Sequence, residues 1–207
     1  MSDKYESFSE LADSEHRGVD YSLELADRGT DVMIMAPHGG GIEQGTSEIA
    51  RAVAGEELSL YCFNGLKRRG NQALHITSTA FDEPAALTLA QRSQTVVAIH
   101  GLQEDKNAIY VGGLDETLRM ALRDSLKRAG FHTVEGKGAH AGVSPLNPCN
   151  RGRAGKGVQL EITRGLRRTM FEGLDRRGRR IRKPPFYDLV GAVRSVLLHP
   201  VHKSGGP

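Results

Sequence analysis

The sequence predicts an α/β protein, a sheet with helices packed on both faces. Three observations carry that prediction. Short apolar runs alternate with stretches of helical periodicity along the chain. Two runs, 31–36 (DVMIMA) and 95–99 (TVVAI), are apolar nearly throughout, as strands in the middle of a parallel sheet are. The length of 207 residues suits one domain with a core large enough to need no staples. The expected organisation is a single domain, 1–207.

The elements follow in order. Residues 5–15 suit a short helix, and 31–36 a buried strand ending at Pro37-His38. Thr46 is a good N-cap for a helix over about 47–54 that stops at Gly55. Residues 58–63 (LSLYCF) and 73–77 (ALHIT) read as strands. Residues 83–92 open a helix with Pro84 in its first turn. The strand 95–99 ends at His100-Gly101, and 108–111 is a short strand. Leu114, Leu118, Leu122 and Leu126 share one helical face up to Gly130. Residues 131–135 follow as a strand. Residues 136–157 are a glycine-rich loop too long for an idle connector. The strand 157–163 (GVQLEIT) comes next, and a last helix covers about 185–198.

Composition excludes several classes. No apolar run approaches 18 residues, so no membrane span is expected. The first sixteen residues are polar and acidic, unlike a secretory signal, which leaves the cytoplasm as default compartment. Cys62 and Cys149 make neither a disulfide framework nor a CxxC site. Six Phe, five Tyr and no Trp argue against a binder that stacks single-stranded bases. The formal net charge is only +3, but its layout is uneven. Residues 151–183 hold twelve Lys and Arg against Glu161, Glu172 and Asp175. Such a block reads either as a site for an anionic partner or as a solvated face.

In open α/β sheets, sites gather beyond the carboxyl ends of strands, which singles out His38 and His100. Gly39, Gly40 and Gly41 let the backbone turn and bring Glu43 back towards His38. Two histidines and a glutamate match the three-ligand set of a catalytic zinc; the competing reading is local hydrogen bonding at two strand ends. An α/β-hydrolase oxyanion loop would need a GxSxG elbow, which is absent. The glycines of 152–157 fit neither a P-loop nor GxGxxG. In the strand 157–163, alternation sets Glu161 on the face opposite Val158, Leu160 and Ile162. It is a general base if that face opens into a cleft, and an ordinary surface residue if it meets solvent. Asn150, Arg151 and Arg153 could hold a carboxylate through a guanidinium fork and an amide, or could be solvated loop residues.

APHGGGIEQGTSEIA (36–50), LHITSTAFDEP (74–84), AIHG (98–101), YVGGLD (110–115) and CNRGRAGKGVQLEITRGLR (149–167) together resemble the poly-γ-glutamate hydrolases, a family often encoded by phages. The resemblance runs over about residues 20–168. It implies a zinc-carboxypeptidase-like mixed sheet and one Zn²⁺ per chain, held by His38, Glu43 and His100. It implies Glu161 as general base and Asn150 and Arg151, with Arg153, as the grip on a substrate carboxylate. One departure is visible: carboxypeptidases space the first two ligands as HxxE, whereas four residues separate His38 from Glu43. The implied activity is zinc-dependent hydrolysis of γ-glutamyl amide bonds, in a catalytic domain that includes 164–183 and the last helix. The implied partner is an anionic polymer, which gives the basic block a use, and neither a membrane nor nucleic acid. An extracellular polymer would be reached on lysis, and a monomer is the default. Two alternatives stand beside this reading: a zinc amidohydrolase or carboxypeptidase on small acyl-glutamates, and a non-enzymatic polyanion or nucleic-acid binder acting through 164–183.

Overall fold

A computed structural model describes residues 3–198. Residues 1–2 and 199–207 of the expected domain lie outside the described residues. The strands are β1 (Tyr21–Ala26), β2 (Val32–Gly40), β3 (Ser59–Gly65), β4 (Thr95–Leu102), β5 (Ile109–Gly112), β6 (Thr133–Glu135) and β7 (Val158–Thr163). The helices are α1 (Phe8–Ser14), α2 (Thr46–Ala54), α3 (Pro84–Arg92), α4 (Glu116–Arg128), α5 (Arg164–Met170) and α6 (Pro184–Leu198). One seven-stranded mixed sheet runs in the order β1-β3-β2-β4-β7-β5-β6. Strands β3, β2, β4 and β7 are mutually parallel, while β1 and β5 are antiparallel to their inner neighbours. The expected single-domain mixed α/β fold is the one observed. No helix among the described residues is long and apolar enough to cross a membrane.

Alternation along the central strands splits the core in two. Ile34, Val97, Ile99, Val158, Leu160 and Ile162 pack with α2, α4, α5 and α6. Met33, Met35, Val96 and Ala98 face the other way, onto α1, α3, Phe63 and Phe81. Both faces of β2 and β4 are buried, which is why their sequences are apolar at nearly every position.

The order of connection creates the site. From β2 the chain moves outward to β3 through α2, then returns past β2 to β4 through α3 on the opposite face. The parallel neighbours β2 and β4 therefore flank a topological switch point, where the connections diverge and leave a crevice. His38 and His100 stand at that end of the sheet.

One expectation is corrected, and two elements are present that were not expected. Residues 73–77 are not a strand. Asn71–Leu74 form a 3-10 turn, and the chain then crosses the strand ends, where Asp3 bonds both the His75 ring and the Thr77 N–H. The edge strand β1 was not expected, because its half-exposed residues carry a weak apolar signal. Neither was α5, whose RGLRRTM hides a helix within a run of charge. Thr163 caps it by accepting from the Leu166 N–H, and Leu166 and Met170 bury one face.

Candidate functional site

His38 and Glu43 are joined by a tight turn. The chain bulges after Ala36, Gly40 takes a φ of 64°, and the Glu43 N–H donates to the His38 carbonyl (2.9 Å). This backbone return is what the three glycines were expected to permit. The register of β4 on β7 sets His100 directly beside Glu161, on the face opposite the α2, α4 and α6 layer. Since β7 lies between β4 and β5, that face of Glu161 opens into a cleft rather than bulk solvent. The cleft is about 500 Å³ and is bordered by His38, Glu43, His75, His100, Gln159 and Glu161 among others. The long glycine-rich loop supplies part of its wall, through Gly142 and Ser144.

His38 Nδ1 lies 3.2 Å from Glu43 Oε1, yet it is not aligned for a hydrogen bond and is an orphaned buried atom. The other ring nitrogen, Nε2, donates to the Ile76 carbonyl at 2.8 Å. That bond places a proton on Nε2 and leaves Nδ1 as the ring position that faces the Glu43 carboxylate, where it carries a proton in the metal-free site and offers its lone pair to a cation. Glu43 Oε2 accepts from the Gly101 N–H at 2.7 Å and lies 3.8 Å from His100 Nδ1. His100 Nε2 is a second orphaned buried atom. Two buried, unpartnered ring nitrogens beside a buried carboxylate fit a cation. A divalent metal held by His38, Glu43 and His100 is thus compatible with the residues present.

The electrostatics agree. Burial opposes ionisation of Glu43, but His38 and then His100 outweigh it and hold the carboxyl at about 2. Burial also opposes protonation of His38, and the Glu43 carboxylate overcomes it and raises the ring above the usual range. His100 is pulled to about 3, first by burial. Glu161 moves the opposite way, to about 8, first through burial and then through the charge of Glu43. Two neighbouring carboxyls with opposed shifts suggest two different tasks. The Gln159 amide donates to Glu161 Oε1 (3.1 Å) and is itself held by Asn147 (2.7 Å), so the Glu161 side chain is braced from behind.

The expected carboxylate grip is not assembled here. All four bonding positions of the Asn150 amide are taken, by the carbonyls of Gly142 and Ser144 and the N–H groups of Leu114 and Gly157. Asn150 thus organises the glycine-rich loop. Arg153 pairs with Asp31, and its N–H donates to the Ser93 carbonyl. Asp31 and Ser93 precede β2 and β4, so Arg153 sits at the amino ends of the strands. That is about 20 Å from the histidines at ordinary strand rise. Arg151, in the same turn, does not border the cleft.

Two residues the sequence reading passed over belong to the site. His75 stacks against His38, with ring centroids 4.1 Å apart, and is held at Nδ1 by Asp3 (2.6 Å). Among the described residues it is His38, Glu43 and His75, without His100, whose ligand atoms all lie within 4.8 Å of one another. The only signal for His75 lay in the LHITSTAFDEP stretch, because spacing links it to no other histidine. Arg167 is fully buried and bonds the carbonyls of Ile162, Leu102 and Gln44. It ties the ends of β7 and β4 to the turn that carries Glu43. Gly101 makes room for it: a Cβ there would lie 2.7 Å from the guanidinium and 2.9 Å from the Glu43 Cβ. Arg167→Met would leave three inward carbonyls unpaired, at about 1–3 kcal/mol each. The expected outcome is a loss of at least ~3 kcal/mol in denaturant unfolding, together with weaker metal retention.

The basic block does not form one patch. Arg167 and Arg179 are buried, the latter paired with Glu48 (2.8 Å). Arg164 and Arg168 pair with Asp105, and Lys183 with Glu172. Arg176, Arg177, Arg180 and Arg182 are exposed.

Comparison with known proteins adds a family and close neighbours. The family model described as poly-gamma-glutamate hydrolase matches residues 5–192. The chain is 43% identical over 171 residues to the UPF0714 protein YndL of Bacillus subtilis (strain 168), covering 82% of this chain and 67% of that protein. It superposes on the structure of a bacteriophage poly-gamma-glutamate hydrolase with a TM-score of 0.93 and 33% identity, over 96% of this chain and 98% of the other. Zinc-free YndL superposes with a TM-score of 0.90 and 38% identity, over 95% and 98%.

Proposed function

The chain belongs to the poly-γ-glutamate hydrolase family, and from that membership we propose that it is a zinc-dependent hydrolase cutting the γ-glutamyl amide bonds of poly-γ-glutamate. The observation that carries this reading is the buried set at the strand ends, in which the Glu43 carboxylate lies 3.2 Å from His38 Nδ1 and 3.8 Å from His100 Nδ1, beside a Glu161 whose pKa is pushed up to about 8 by burial. The solved YndL form described as zinc-free supports zinc as the metal, and a single set of three ligands would hold one ion per chain. The catalytic domain includes 164–183, where Arg167 and Arg179 are built into the interior, and the last helix.

Zinc, when bound, supplies Lewis acidity to a carbonyl oxygen and acidifies water towards a pKa near 7. The rest falls to the chain's own residues. His38, Glu43 and His100 would hold the ion, and the Ile76 carbonyl and Gly101 N–H keep His38 and Glu43 in place. Glu161 takes a proton from the attacking water at a carboxylate oxygen and passes it to the nitrogen of the leaving amine. Gln159 occupies Oε1, which leaves Oε2 for that transfer.

The test is to incubate the purified protein with poly-γ-glutamate, with and without chelator, and follow polymer length. Shortening that chelator stops and added zinc restores is the expected result; an unchanged length distribution would sink the reading. A second expectation concerns charge. A γ-linked polymer keeps every α-carboxylate free, so exposed Arg177, Arg180 and Arg182 should speed its capture at long range. For long polymer, kcat/KM should fall steeply as salt rises, and for a short γ-glutamyl oligomer far less. Equal salt sensitivity at both lengths would remove the steering role.

A further inference from the structure

A second concavity, about 370 Å³, adjoins the catalytic cleft. Its floor includes Gly41 and Gly65, one just past β2 and the other ending β3. The catalytic groups stand at the ends of β2, β4 and β7, so this hollow lies one strand further along the same edge of the sheet. The turn 41–44 divides the two. Gly41 and Gln44 face the second concavity, and Glu43 faces the catalytic cleft.

Its walls are basic and come from two distant parts of the chain. Lys67 and Arg68 follow β3, while Arg176 and Arg179 lie between α5 and α6. The Arg176 guanidinium donates to the Leu66 carbonyl (3.0 Å), which draws the two segments together. Two of these cations are already satisfied. Lys67 pairs with Glu15 (2.5 Å) and Arg179 with Glu48. Among the described residues, Arg68 and Arg176 form no ion pair. The single carboxylate in the wall, Asp175, is turned onto the N–H groups of Arg177 and Gly178 (2.8 and 3.0 Å). Two arginines without carboxylate partners among the described residues, lining one concave surface, are suited to a planar carboxylate.

We propose that this concavity is an anion subsite, in which Arg68 and Arg176 grip a free carboxylate of a repeat unit remote from the bond being cut. The proposal rests on the polymer reading above and deepens it: specificity for a carboxylate-bearing polymer is set partly outside the cleft. It also supplies the carboxylate grip that Asn150, Arg151 and Arg153 do not provide. A substrate too short to reach across the 41–44 turn gains nothing from it.

The experiment measures binding rather than turnover. Zinc-loaded protein carrying Glu161→Gln is titrated with end-labelled long poly-γ-glutamate and with a short labelled γ-glutamyl oligomer, at physiological salt. Adding Arg68→Gln and Arg176→Gln should weaken the long polymer about tenfold relative to the short one. Arg177→Gln with Arg180→Gln removes the same charge from the same region without touching the concavity, and should cost far less at that salt. Thermal unfolding of each variant checks that the fold survives. The proposal is overturned if the long-to-short ratio does not change, if both lengths weaken equally, if the Arg177/Arg180 variant matches the Arg68/Arg176 one, or if the parent fails to bind the polymer. Length-dependent binding of this kind, together with zinc-loaded protein that retains Glu161 yet never shortens the polymer, would overturn the hydrolase reading and leave the subsite standing.

Discussion

Replacing Glu161 with glutamine should keep the fold and the zinc and remove the turnover. The change conserves volume, and the Gln159–Asn147 brace behind the side chain holds an amide as well as a carboxylate. What is lost is the ability to take a proton. General-base loss typically costs on the order of 10²–10⁴-fold, and the fall should appear in kcat. The pH dependence gives a sharper check. Glu161 works ionised, so the rate should rise with pH through its pKa. Burial and the Glu43 charge push that pKa to about 8, and the positive charge of a bound divalent ion draws it back down. The acid limb of kcat/KM should therefore have its midpoint below about 8, and should flatten in the glutamine variant. A variant within a few-fold of the parent, with the limb intact, would put the base elsewhere.

The same residue predicts a stability effect of opposite sign. Its folded pKa lies above its unfolded value of about 4.5. Between those values the unfolded chain has released a proton that the native state still holds, so the metal-free protein loses stability as pH rises from about 4.5 to about 8. Glu161→Gln removes that penalty. Melted in chelator at pH 8, the variant should be the more stable protein and the less active one, a trade common where a strained site serves catalysis.

How much of this was legible in the sequence depends on whether the cause was local. His38, His100 and Glu161 could be read because each ends or lines a strand whose apolar pattern is unmistakable, and because β-strand alternation fixes which face a residue takes. The glycines after His38 announced a backbone return. The arginine grip at 151–153 was misplaced for a complementary reason. A long loop can run the full length of a sheet, and nothing in its composition says which end it meets. The loop touches the cleft at Gly142 and Ser144, but ten residues later it is bonded to Ser93 and Gln94 at the opposite end of β4. Arg167 was hidden by the charge around it. A buried arginine among solvated ones differs only in what lies beside it, here three carbonyls and a glycine, and those neighbours come from strands far away in the chain.

Removing any one metal ligand should have the largest effect of all, because a three-ligand site has none to spare. His38→Ala, Glu43→Ala and His100→Ala should each bring zinc per chain from about one towards zero by elemental analysis, with activity lost in step. His75 makes the experiment discriminating, since its ring also approaches Glu43, with Nε2 3.9 Å from Oε1. The orphaned, fully buried Nε2 of His100 favours His100 as third ligand. His75, half-buried and anchored by Asp3, is expected to support the site from outside it. On that assignment His75→Ala weakens zinc by about 10–100-fold, the usual cost of a supporting partner, and excess zinc restores occupancy. The His100 variant should not be rescued in this way. Binding linkage provides an independent readout: zinc at a thousand times its Kd adds about 4 kcal/mol to the stability of the native state. The gap in Tm between zinc-loaded and chelated protein should collapse in the His100 variant and persist, at high zinc, in the His75 variant. The reverse outcome would make His38, Glu43 and His75 the ligands, and would turn His100 into the residue that orients Glu43 across the strand ends.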